Sequence, residues 1–140
     1  MLSGEFRHSL DAKNRLFIPA KHREELGESF MIVRSIRENC LQVYSMEEWD
    51  RYIEPIKKMD RKNSEMILRT LHRNAVNVTP DAQGRIILPV ALIQHAQISK
   101  GAVVVGCGTY GEIWSEELYE QTLEEENLDD IRAVLESFGL

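Results

Sequence analysis

The segment Ser9-Leu10-Asp11-Ala12-Lys13-Asn14-Arg15-Leu16-Phe17-Ile18-Pro19 returns, partly changed, as Thr79-Pro80-Asp81-Ala82-Gln83-Gly84-Arg85-Ile86-Ile87-Leu88-Pro89. The copies lie seventy positions apart in a chain of 140 residues, so the first reading of the fold is a duplication. The register holds further on. Val33 matches Val103, and Val43-Tyr44-Ser45-Met46-Glu47 matches Ile113-Trp114-Ser115-Glu116-Glu117, with no insertion or deletion needed.

In the first copy, the apolar runs from Gly4 to Leu10 and from Arg15 to Ile18 flank a polar five-residue turn, the pattern of strand, turn, strand. A hairpin is expected to open each repeat. Asn14 and Gly84 occupy the same turn position and share tolerance of positive φ, which implies one backbone geometry for both loops. Asp11 and Asp81, at the turn's start, are placed to accept hydrogen bonds from backbone N–H groups two or three residues on. Asp11, Asp81 and Gly84 are therefore read as the residues that shape the loops.

Pro19 and Pro89 then stand where short helices begin, the first running to Leu26 before Gly27 and the second to Ala96. Two more strands follow in each repeat, Phe30 to Arg34 with Leu41 to Tyr44, and Ala102 to Gly106 with Glu112 to Trp114. Ser45 and Ser115 are placed as helix N-caps, Ser45 with Glu48 as a capping box. Trp49, Tyr52, Ile53 and Ile56 give the next helix one buried face, with a break or kink expected at Pro55. Lys57 to Arg73 holds six basic and two acidic residues, with an apolar stripe of Ile67, Leu68, Leu71 and Ala75, the pattern of a connecting helix. Leu128, Ile131, Leu135 and Phe138 repeat that pattern in the tail, which is expected to dock on a surface.

The totals bound the function. A composition of 43% hydrophobic and 29% charged residues is that of an ordinary globular protein. The amino-terminal residues lack the apolar stretch of a signal peptide and no run approaches a membrane span, so a cytosolic location is expected. Net charge −6 argues against nucleic acid only on average. Glu112 to Leu140 holds ten acidic residues against Arg132 alone, which leaves the remaining 111 residues at net +3. Cys40 and Cys107 do not coincide under the offset and are expected to be buried free thiols. His8, His22, His72 and His95 show no paired metal-ligand spacing, and no local nucleophile arrangement or phosphate loop is present, so neither enzyme activity nor a cofactor is expected.

Asp-Ala-Lys-Asn-Arg, its second copy Asp-Ala-Gln-Gly-Arg, the duplication, the length and the opening Met-Leu-Ser-Gly-Glu-Phe together resemble the MraZ family, over essentially the whole chain. The resemblance implies an α+β fold: a duplicated swapped-hairpin β-barrel of AbrB/MazE type, built from two pseudo-symmetric ββαββ repeats plus connecting and carboxy-terminal helices. The corresponding layout is a first module over 5–47, a helical connector over 48–75, a second module over 76–119 and an acidic carboxy-terminal helix over 120–140, with the modules packed as one unit. It also implies transcriptional regulation of the cell-division and cell-wall gene cluster, including the chain's own promoter, through direct repeats in double-stranded DNA. The partners implied are DNA in the nucleoid and copies of the chain in a ring of about eight to twelve subunits.

The side chains assigned to DNA are Arg7, Lys13, Asn14, Arg15, Gln83 and Arg85. Arginine presents a planar fork that suits guanine or phosphate, and lysine a mobile charge. A two-stranded ribbon tipped by Lys13 and Arg15, with Arg7 on the adjoining strand, fits a major groove. Lys13 makes the first loop the more cationic and the expected tighter binder. Each residue has a plainer reading. An Asp four residues before an Arg can simply brace the turn by an ion pair. The basic run from Lys57 to Arg73 reads first as a solvated helix face, His8 as an ordinary strand residue, and Lys21 and Arg23 as divided between helix solvation and backbone contact. A different class of function also fits the acidic tail: a MazE-like antitoxin whose carboxy-terminal segment binds a protein partner.

Overall fold

A computed structural model describes residues 1–140. The elements in chain order are β1 (Glu5–Ser9), β2 (Arg15–Phe17), α1 (Ala20–Leu26), β3 (Phe30–Arg34), β4 (Leu41–Ser45), α2 (Met46–Lys57), α3 (Arg61–Arg73), β5 (Ala75–Val78), β6 (Arg85–Ile87), α4 (Val90–Ala96), β7 (Gly101–Gly106), β8 (Gly111–Ser115), α5 (Glu116–Glu125) and α6 (Leu128–Ser137). Each repeat is thus ββαββ followed by a helix, an α+β architecture.

The strands stand where the alternation placed them, but two partners differ from the local hairpin that the turn suggested. β1 does not pair with β2. It pairs antiparallel with β7 of the other repeat, as β5 pairs with β3. β2 pairs with β6, its own counterpart, with Leu16 opposite Ile86. The six-stranded sheet runs β1-β7-β8-β4-β3-β5, a palindrome under the repeat that places a pseudo-twofold axis between β8 and β4. This is the swapped hairpin within one chain. Each repeat lends its first strands to its twin, because a unit of about seventy residues buries too little apolar surface alone.

Burial on both faces of the sheet follows from side-chain alternation. On β3, Phe30 and Ile32 point into the main core with Leu16, Ile18, Ile86 and Leu88 of the β2/β6 segments, while Met31 and Val33 face Trp49, Ile53 and Ile56 of α2 and Leu71 of α3. On β7, Val104 joins the main core, and Val103 lies with Cys40 and Trp114 against Leu118 and Tyr119 of α5. Ser45 Oγ accepts from Glu48 N–H at 3.1 Å and Ser115 Oγ from Leu118 N–H at 3.1 Å, so both expected N-caps are made. Pro55 lies in the last turn of α2, which ends at Lys57.

The tail departs from expectation. It forms two helices broken at Glu126 and Asn127, and α6 docks on nothing within the chain: Ile131, Val134, Leu135 and Phe138 are all exposed.

Candidate nucleic-acid interface

Each Asp-x-x-x-Arg loop is built by one carboxylate. Asp11 Oδ1 accepts from the N–H groups of Lys13 at 2.9 Å and Arg15 at 2.8 Å, and Oδ2 accepts from Arg15 Nε at 2.7 Å. Asp81 repeats this with Gln83 N–H at 2.9 Å, Arg85 N–H at 3.0 Å and Arg85 Nε at 3.0 Å. The donors sit two and four residues on. Asn14 has φ 60° and Gly84 φ 80°, the shared left-handed geometry that their match implied. Backbone hydrogen bonds hold both Asp carboxyls below the usual carboxylate range, foremost those from Arg15 N–H to Asp11 and from Arg85 N–H to Asp81.

The aspartates therefore brace the turns and aim the arginines at once. Each guanidinium spends its Nε on its own aspartate, which leaves the Nη edge to bond a base or a phosphate. Only Arg85 Nη1 has a further partner, Asp11 Oδ2 across the gap at 3.9 Å. The β2–β6 register places Leu16 and Ile86 inward, so the flanking Arg15 and Arg85 point away from the core. The loops are also tied to each other's repeat: Ile18 N–H donates to Gly84 O and Leu88 N–H to Asn14 O, both at 2.9 Å. Arg15, Asp81 and Arg85 line one cleft of about 480 Å³ with Asn77, Thr79 and Ile87.

Of the assigned residues, the structure brings Asp11, Lys13, Asn14, Arg15, Asp81, Gln83, Gly84 and Arg85 onto this pair of joined loops. Lys13 and Gln83 are exposed, Asn14 is half-buried and Gly84 is buried. Arg7 stands apart. It lies in β1 opposite Val103, its guanidinium is shared by Glu5, Glu116 and Glu120, and it packs over the Tyr119 ring. Because β1 and β2 pair with different strands, no two-stranded β1–β2 ribbon exists to carry Arg7 and Arg15 together.

Arg23 belongs to the site, although helix position alone left it undecided. From α1, its Nε donates to Ile18 O at 2.9 Å, its guanidinium lies over Phe17, and a Cβ at Gly84 would fall 2.7 Å from its Cζ. Gly84 thus serves two needs, a positive φ and room for Arg23. The signal was present in the repeat: Ile93 is the counterpart of Arg23, and only the loop facing the arginine carries glycine. His8 packs edge-on against Phe17, and the basic side chains of α3 are solvent-exposed.

Comparison with known proteins completes the picture. The family model described as MraZ protein, antitoxin-like, matches twice, over residues 1–70 and 71–136, the two repeats read from the loops. A protein of Pediococcus pentosaceus called transcriptional regulator MraZ is 42% identical over the full length of both chains. Proteins of the same name from a Thermoanaerobacter species and from Ligilactobacillus salivarius are 41% and 40% identical, covering 94% and 100% of this chain and 99% and 100% of their own. The paired Asp-x-x-x-Arg loops, the strands exchanged between repeats and these full-length likenesses lead to one conclusion: the chain belongs to the MraZ family.

Proposed function

We propose that the chain is a sequence-specific DNA-binding regulator of transcription. Its target is the promoter of the cell-division and cell-wall cluster that includes its own gene, read as direct repeats, and it works in the cytoplasm at the nucleoid without catalysing a reaction. The observation that supports this reading most is the pair of arginines in one cleft, each fixed through Nε by an aspartate and with no hydrogen bond from its Nη groups within the chain. The Nη edge matches guanine O6 and N7 or a phosphate. Lys13, Asn14 and Gln83 supply the neighbouring phosphate and base contacts. Arg7 is a flanking contact that has to exchange one of its carboxylates for a phosphate. The curated relatives carry the name of transcriptional regulator, which agrees with this chemistry.

A loop pair spans few base pairs, so useful specificity needs several copies acting together. The uncovered apolar face of α6 supplies a means of assembly. α6 carries Asp129, Asp130 and Glu136, while α3 presents Arg61, Lys62, Arg69 and Arg73, so a second copy offers it a surface of opposite charge. Successive head-to-tail contacts of this kind form a ring where the rotation between copies closes. The double change Ile131→Glu with Leu135→Glu is expected to reduce the assembled mass in light scattering while leaving far-UV circular dichroism unchanged. An unaltered mass contradicts the ring contact, and a tail that orders only on binding another protein supports the antitoxin-like reading in its place.

The regulatory reading is tested by a gel shift with the chain's upstream promoter DNA. Wild type is expected to bind, Arg15→Ala to weaken binding by about tenfold or more and Arg85→Ala by less, with affinity falling steeply as salt rises. Salt-insensitive binding, or full affinity in Arg15→Ala, contradicts it.

A further inference from the structure

The sheet face opposite the loops carries a cluster that DNA binding does not use. Three potential ligands meet there from different repeats, Glu38 and Cys40 from the β3–β4 connection and Glu112 from β8, and Cys107 of the β7–β8 hairpin lies beside Glu112. Both cysteines are free, and Cys40 is fully buried. Cys40 Sγ lies 3.8 Å from Glu112 Oε2, and Cys107 Sγ lies 3.6 Å from Glu112 Oε1. The ligand atoms of Glu38, Cys40 and Glu112 all fall within 4.8 Å of one another.

No cation compensates this group. The partners of the Glu112 carboxylate are the two thiols and Trp114 Nε1 at 3.2 Å, and none of the chain's ion pairs includes Glu38 or Glu112. The duplication provides an internal comparison. Seventy residues away, Gly108, Tyr110, Arg37 and Gln42 stand in the places of Glu38, Cys40, Cys107 and Glu112. The fold therefore does not require ligating side chains here, and one of its two equivalent places has them.

We propose that Cys40, Cys107, Glu112 and Glu38 form a binding site for a thiophilic divalent cation of the zinc type. With Zn–S near 2.3 Å and Zn–O near 2.1 Å, a tetrahedral ion sets its ligand atoms about 3.6 Å apart, close to both sulfur–carboxylate separations. Cys107, half-buried and outside that close set of three, closes the remaining gap by changing rotamer. Thiolates select zinc over magnesium or calcium, and each thiol gives up its proton to solvent as the ion binds. The ion ties the β3–β4 turn of one repeat to the β7–β8 turn of the other. Sequence spacing conceals such a site, since its ligands lie about seventy positions apart.

The test uses the full chain, stripped with a chelator and kept reduced, and titrated with Co²⁺ as a spectroscopic probe and with Zn²⁺ in thermal melts. The expected result is one Co²⁺ per chain with a thiolate-to-metal absorption band, and a melting temperature that rises with Zn²⁺. Cys40→Ser should cut the band by about half or more and weaken Co²⁺ binding. Glu112→Gln, which installs the amide already carried at the equivalent Gln42, should weaken binding by more than about tenfold, since even outer-shell partners are worth that much. If Cys40→Ser does not fold, Cys107→Ser and Glu112→Gln decide the matter. Absence of a thiolate band and of a melting shift in the wild type, or undiminished binding in Glu112→Gln and Cys107→Ser, overturns the proposal.

Discussion

Replacing Gly84 by asparagine tests the loop geometry without changing its backbone preference, because asparagine already occupies the equivalent place at φ 60°. If positive φ were the only demand, Gly84→Asn would be close to silent. The structure adds a second demand, since a Cβ at Gly84 meets Arg23 Cζ at 2.7 Å and Nε at 2.9 Å. The guanidinium ends a flexible side chain and swings aside, so the cost is the contacts it gives up. Its hydrogen bond to Ile18 O contributes a net of about 1 kcal/mol. Its seat over the Phe17 ring contributes about 0.5–1 kcal/mol. Gly84→Asn is therefore expected to cost about 1.5–2 kcal/mol, the sum of those two contributions. Gly84→Ala adds a left-handed penalty of about 1–2 kcal/mol. The reciprocal Asn14→Gly, in whose repeat-related environment Ile93 stands in place of Arg23, should stay within about 1 kcal/mol of wild type. Urea unfolding followed by circular dichroism at one protein concentration reads all three. With a slope of about 2 kcal/mol per M, Gly84→Asn lowers the midpoint by about 0.8–1 M. A Gly84→Asn midpoint equal to wild type, or an Asn14→Gly loss as large, refutes the role given to Arg23.

Both loop aspartates have folded pKa values below the unfolded one, so their contribution to stability is present above about pH 4 and is lost as pH falls through the lowered folded value. The loops should thus be unchanged between pH 8 and 5. Carboxyl ¹³C shifts of Asp11 and Asp81 that move only below about pH 4 agree, and a midpoint above that contradicts the bonding described. Leu16→Ala removes a fully buried side chain opposite Ile86 and should cost about 2–5 kcal/mol in urea unfolding, loosening both loops because β2 and β6 share one ribbon. Ser115→Ala leaves Leu118 N–H without its cap and should cost about 1 kcal/mol in the same assay, with no loss of DNA affinity.

The sequence carried the local features of this fold because each has a local cause. Alternation marked the strands, Asn14 and Gly84 marked the turn, and Ser45 and Ser115 marked the helix starts. Strand partners were not legible in that way. Alternation tells which side of a strand is buried but not which neighbour it pairs with, and β1 has an equally apolar partner in β2 nearby or β7 far away. Burial of Leu16 and Ile86 against each other settles the choice, and that is a property of the whole core. The candidate site divides similarly. The Asp-to-Arg bracing lies within five residues and could be read directly. The convergence of Arg23 on Gly84, the capture of Arg7 by α5 and the meeting of Cys40 with Glu112 depend on tertiary placement. For α6, periodicity announced an apolar face but not that the chain itself leaves it bare.

On the proposed reading, Arg15 and Arg85, held by their aspartates, contact DNA. Fluorescence anisotropy with a labelled duplex from the chain's upstream promoter tests it most directly, comparing wild type, Arg15→Ala and Arg85→Ala at low and physiological salt. A lost bidentate arginine contact is worth about 1–3 kcal/mol, so Arg15→Ala should weaken binding by about tenfold or more, Arg85→Ala by less, and salt should weaken the wild type steeply. Wild-type affinity in Arg15→Ala, or affinity indifferent to salt, contradicts that reading.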